Sequence, residues 1–308
     1  MKSVLKPMGI AVVFSVPVAG QWPKFQEAGV QRDASGRVQL DAPPPRTADG
    51  KPDLSGMWRR LDRDPPIAQL AGLFNSDAQP AGRGGRGAPS PNAPARNQPP
   101  LPDPNSPPVS AFWELASNIP GGLPLTPWAA ELKKQRMATN SVNNPDANCL
   151  PLGLNPLHTH PDPRRVIQTS KMIVIAWETN YGLRFIHTDG RKLPPQGEPQ
   201  PWWYGYSVGR WEGDTLVVET NNVRGAELGP FDGWLDVNGS PHSNDVKFTE
   251  RFRRPTFGKL EIDLTIEDPK AYTRPFTVRI NQQLMADDEL IEFICNENQQ
   301  FRRRVKVD

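Results

Sequence analysis

Residues 205–209 read Gly-Tyr-Ser-Val-Gly, the G-x-S-x-G spacing with which a hydrolase presents a serine hydroxyl on a sharp strand-to-helix turn. That chemistry needs a helix after the serine. Ser207 is followed instead by VGRW, by Glu212-Gly213-Asp214 and by the β-branched run TLVVET, which predicts a hairpin whose turn takes its positive φ from Gly213. Ser207 then stands in mid-strand, with Tyr206 and Val208 on the opposite face.

Other residues offer acid-base chemistry. His187 ends an apolar stretch and Asp189 follows two residues later, so an imidazole acting as base beside a carboxylate that orients it is one reading of HTDGR. A plain Asp-Gly turn with Arg191 at the surface is the other. Glu219, at the end of TLVVET, becomes a carboxyl with a raised pKa if its face lines an interior, and an ordinary surface charge if it does not. Glu219 or Tyr206 would serve as the acid. His158 and His160, two apart in the proline-flanked stretch PLHTHPDP, are weak candidates for a metal site, with a third ligand brought by the fold from His187 or His242; the alternative is a solvent-facing extended loop. Pro201 to Tyr206 holds the densest aromatic cluster. Trp202, Trp203, Tyr204 and Tyr206, with Phe185, are candidates to grip a flat ligand, or else fill a core. Asp268 to Arg274 is a polar connection that reads either as a structural turn or as a segment whose Tyr272 and Arg274 cover the barrel end.

These residues need elements to carry them. From Arg165 onward the pattern has period two: VIQTSKMIVIAWE, LRFIHTDG, YGYSVGRW, TLVVET, VKFTERFRR, LEIDLTIED, FTVRINQQL and LIEFICNEN are short, β-branched or aromatic runs bounded by turn residues. They predict about nine strands in an antiparallel up-and-down meander, closed into a barrel that removes its edges. One short helical segment is predicted after Thr126-Pro127, an N-cap followed by a first-turn proline, with Trp128 and Leu132 against the barrel wall.

The chain divides into a signal peptide (1–20), an extended segment (21–51), a first barrel strand (52–62), a disordered insert rich in Pro, Ala and Gly (63–109), a helical and loop segment (110–164) and the barrel meander (165–308). Lys2 and Lys6 before an apolar run that ends in small residues give the first segment its export character, so a periplasmic or secreted location is expected, with no transmembrane span once it is removed. Cys149 and Cys295, the only two cysteines, are read as one disulfide in that oxidising compartment. The 36 prolines point to long extended segments that can be neither helix nor central strand. A net charge of +2 without a basic stripe interleaved with aromatics argues against a nucleic-acid partner.

PDLSGMW, PLTPWAAEL, CLPLG, VGRWEGDTLVVET, DPKAYTRPF and LIEFICNEN, in that order, resemble a widespread group of exported bacterial proteins, most of them without an assigned activity. The resemblance implies a lipocalin-like (calycin) β-barrel, in keeping with Gly56-x-Trp58, and it implies no activity or cofactor. Two functions stay open. One is a barrel that binds a small apolar or aromatic molecule in its cavity. The other is an acid-base lyase, isomerase or hydrolase using His187, Asp189 and Glu219 or Tyr206.

Overall fold

The computed structural model describes residues 26–61 and 106–296. The proposed signal peptide and most of the insert lie outside the described residues. Nine strands close into one barrel in sequence order: β1 (Gly56–Arg60), β2 (Arg164–Gln168), β3 (Met172–Trp177), β4 (Leu183–His187), β5 (Tyr206–Glu212), β6 (Thr215–Asn221), β7 (Lys247–Thr256), β8 (Lys259–Glu267) and β9 (Phe276–Leu284), with β9 pairing back onto β1. Alternation decides what each strand buries. In β8 the inward set is Leu260, Ile262, Leu264 and Ile266, while Glu261, Asp263 and Thr265 face outward. Each such apolar side chain contributes roughly 1.5–3 kcal/mol on burial.

The barrel departs from a pure meander at one place. β4 and β5 are parallel, with Ile186 opposite Ser207 and His187 opposite Val208, and every other pair is antiparallel. The reason lies in residues 188–205, which include Pro194, Pro195, Pro199 and Pro201. A segment of that length and stiffness recrosses the barrel, where a tight hairpin would reverse the chain. Asp189-Gly190 is therefore a bend that opens this crossover and not the tip of a hairpin.

The β5–β6 hairpin matches its sequence pattern: Glu212 pairs with Thr215, and Gly213 takes a φ of +60° between them. Gly205 just before it has a φ of +69°, and a Cβ there would come within 2.7 Å of the Asn221 carbonyl oxygen. The first glycine of G-x-S-x-G is thus required by close packing of backbone on backbone.

Helix α1 (Pro127–Ala138) starts at Thr126, whose hydroxyl oxygen accepts from the Ala129 N–H at 3.3 Å. Trp128 and Leu132 are only half-buried, and the covered residues of the helix are Ala129 and Arg136. Arg136 donates to the carbonyls of Asp232, Gly233 and Gly239 and lies 4.2 Å over the Trp234 ring, tying α1 to the long β6–β7 connection. Three further points correct the sequence reading. A second helix, α2 (Leu154–Thr159), occupies the stretch expected to be an extended loop, with all six residues buried at the barrel end. Residues 290–296, read as a last strand, form none, and Ile291, Phe293 and Ile294 are exposed. Residues 106–109, assigned to the insert, run beside β9, where Val109 bridges to Arg279.

Cys149 and Cys295 form the disulfide, anchoring this C-terminal stretch to the segment between the helices. No helix among the described residues is long and apolar enough to cross a membrane.

Candidate functional site

The residues picked out by the sequence gather mainly on the outside of the barrel. His187 stacks on Tyr206 with ring centroids 5.2 Å apart, and the Trp202 ring lies 5.5 Å from Tyr206, tilted against it. Phe185, two residues before His187 on the same face of β4, is 46% exposed. Asp189 does not orient His187. Its carboxylate takes the Arg191 guanidinium, which also donates to the Tyr206 hydroxyl at 2.9 Å. This hydrogen bonding holds the Asp189 carboxyl at about 2. Slight burial and the Arg191 charge lower the pKa of His187, against the pull of Asp189. Glu219 is exposed and paired with Arg210 at 2.7 Å. The remaining aromatics disperse. Trp203 sits under the Arg224 guanidinium, and Tyr204 packs near Trp177, burial pushing its phenol up to about 12.

The four described imidazoles occupy four different surroundings. His158 enters the barrel, His160 bonds the Thr179 hydroxyl at 2.8 Å, His187 is on the outer face, and His242 is buried beside the Ser243 carbonyl. Among the described residues no group of three or more His, Cys, Asp or Glu side chains could hold a metal ion.

A charged, hydrogen-bonded network lies inside the barrel. Phe248 and Phe252 face inward from β7, and alternation puts Glu250 between them, fully buried. Arg184 reaches it from β4, bonding one oxygen at 3.0 Å and also the other, while Nε donates to the Ser207 hydroxyl and Nη2 to the hydroxyls of Ser207 and Thr220. His158 Nε2 lies 2.7 Å from Glu250 Oε1. Burial alone would raise the Glu250 carboxyl; the Arg184 charge and the His158 hydrogen bond outweigh it and bring the group to about 2. Burial drives His158 the other way, to about 4, against the pull of Glu250. The pair is therefore a carboxylate and a neutral imidazole, with the proton on Nε2 and Nδ1 left as an acceptor. Ser207 belongs to this network as an internal ligand of Arg184, with no helix behind it and no base activating it.

Sequence reasoning passed over Arg184, Glu250, Arg164 and Gln282. A signal for them existed: each has the parity of apolar inward residues on its strand, as Glu250 does between Phe248 and Phe252 and Arg184 does beside Ile186.

A third place is concave. A cleft of about 380 Å³ opens at the barrel rim where β1 begins, walled by Glu27 to Val30 of the N-terminal segment and by Val166, Phe257 and Leu284. Charged groups rim it. Asp53 and Glu27 stand opposite Arg165 and Arg254, with Arg165 only loosely engaged to Glu27 at 3.4 Å and Arg254 held by the carbonyls of Ser55 and Phe257. Burial lowers Arg254 to about 10, still cationic at neutral pH.

The chain matches no family model, no curated protein and no solved structure.

Proposed function

We propose that this chain is an exported calycin-type barrel protein that binds a small, partly apolar organic molecule, and that the ligand sits in the rim cleft beside β1 and β2. The observation that carries this reading is the cleft itself. Its volume falls in the range of small-molecule sites, and its lining combines the apolar Val30, Val166, Phe257 and Leu284 with the charged Glu27, Asp53, Arg165 and Arg254. The central space of the barrel supports the reading less well, because Trp58, Phe248, Ile262, Leu264, Ile280 and the Arg184–Glu250 pair occupy it, each at most 2% exposed. Export is supported by the Cys149–Cys295 disulfide, since such bonds persist in oxidising compartments. The acid-base alternative has weaker support: Asp189 and Glu219 are each held by an arginine, and neither carboxylate orients His187.

Native mass spectrometry of protein purified from its own host tests the proposal. A co-purifying small molecule is expected, and Ala28→Trp, which fills the cleft from its exposed N-terminal wall, should abolish its retention while Trp202→Ala leaves it unchanged. Loss in Trp202→Ala with retention in Ala28→Trp would move the site to the outer aromatic face, and no bound molecule in any preparation would remove the binding function.

A further inference from the structure

His158 is the hub of a second, fully enclosed constellation. Arg164, at the start of β2, donates through Nη1 to the carbonyls of Leu157 and His158 at 3.2 and 3.1 Å, and Gln282 of β9 donates to the same His158 carbonyl at 3.0 Å. Trp177 is the register partner of Arg164 across β2 and β3, and its ring meets the His158 ring edge to face at 5.8 Å. All four side chains are at most 2% exposed. Each nevertheless has one buried polar atom without a protein partner: Arg164 Nη2, Trp177 Nε1, His158 Nδ1 and Gln282 Oε1. A buried N–H left without an acceptor is costly, and more so where the donor is charged. Two such donors on paired residues of adjacent strands are not accounted for by the fold.

The charge balance points the same way. Arg164 and Arg184 are both buried cations, and Glu250 is the carboxylate they share. Arg184 takes both oxygens of Glu250 directly, and Arg164 makes only carbonyl contacts. Burial lowers Arg164 to about 9, which leaves it protonated at neutral pH. The enclosed set thus carries two positive charges against one negative, an arrangement that a low-dielectric interior tolerates poorly.

We propose that the barrel holds a small monovalent anion, of the size of a halide or formate, between Arg164 Nη2 and Trp177 Nε1. The anion accepts from both donors and neutralises the second guanidinium. Helix α2, which carries His158 and seals this end of the barrel, controls its exchange with solvent. The site is separate from the rim cleft, so either can fail without the other.

The experiment uses the full mature chain and the anions themselves. Thermal unfolding is followed in bromide or formate against gluconate, too large to enter, at constant ionic strength. Bromide or formate should raise Tm saturably, by about 3–6 °C at ten times the dissociation constant, and gluconate should not. Arg164→Met removes the guanidinium and should abolish the saturable rise. Trp177→Phe removes one N–H, at the cost of a smaller ring, and should weaken it several-fold while the fold persists, which keeps the test open if Arg164→Met does not fold. Crystals grown in bromide should show an anomalous peak within hydrogen-bond reach of Arg164 Nη2 and Trp177 Nε1. An ordered water alone at that place, or an equal response in bromide and gluconate, would overturn the proposal.

Discussion

At the residue scale, His158 shows how placement reverses a side chain's chemistry. A histidine in a loop titrates near 6.5 and is free to bind metal. Enclosed in the barrel with its Nε2–H on Glu250, the same residue is held neutral to about pH 4. The sign of the pH effect follows. Between about 6.5 and 4 the unfolded chain takes up a proton that the folded chain refuses, so His158 leaves stability intact above about pH 6.5 and lowers it as pH falls towards 4, by roughly 3 kcal/mol in all. Glu250 acts in the same direction at lower pH: its depressed pKa stabilises the fold above about 4.5, and that gain is lost as pH falls towards 2. Urea unfolding midpoints measured from pH 7.5 to 4 should decline in the native sequence. His158→Gln, which keeps a donor for Glu250 but does not titrate, should show a much flatter profile; an unchanged slope would mean that another group titrates.

At the scale of elements, the Arg184–Glu250 pair spans the place where the sheet changes direction. Arg184 comes from β4, Ser207 and Thr220 from β5 and β6, and Glu250 from β7, so the network ties together the strands on both sides of the parallel β4–β5 junction. That junction has only two paired positions, Ile186 with Ser207 and His187 with Val208, and contributes few ladder hydrogen bonds of its own. Glu250→Gln leaves Arg184 buried without a counter-charge and should cost about 3–5 kcal/mol in denaturant unfolding. The double variant Arg184→Met with Glu250→Leu removes both charges and should recover most of that loss. If the double variant is as unstable as the single one, specific hydrogen bonding to Ser207 and Thr220, and not charge balance, holds the junction. Local sequence was informative where an element is short-range. The Thr126-Pro127 start of α1 and the Gly213 turn of the β5–β6 hairpin were legible because their determinants lie within a few residues. Helix α2 was not legible: its six residues LNPLHT include Pro156, Asn155, His158 and Thr159, all of low helical propensity, and burial at the barrel end overrides it.

At the scale of the whole molecule, the Cys149–Cys295 bond joins points 146 residues apart and fastens the exposed 288–296 stretch to the segment between α1 and α2. Constraining so long a loop in the unfolded chain stabilises the native state by about 2–5 kcal/mol. Reduction, or Cys295→Ser, should lower the unfolding midpoint accordingly, and intact mass should rise by about two mass units on reduction, one for each thiol formed. Full stability in the reduced protein would mean that the bond constrains only a peripheral tail.

The sequence by itself determined the strand parity, the hairpin, the capped helix and the pairing of its two cysteines, because alternation, turn chemistry and a unique pair of thiols act locally or by elimination. It did not reveal which of its polar residues share a place. His187, Asp189, Glu219 and the Trp202–Tyr206 run look like a site along the chain, yet barrel closure turns most of them to the outer wall. Arg164, Arg184, Glu250 and His158, distributed over nearly ninety residues, meet only because closing a sheet brings the inward faces of distant strands around one axis. Charge compensation among such residues is a property of that closed space, and only the tertiary structure decides it.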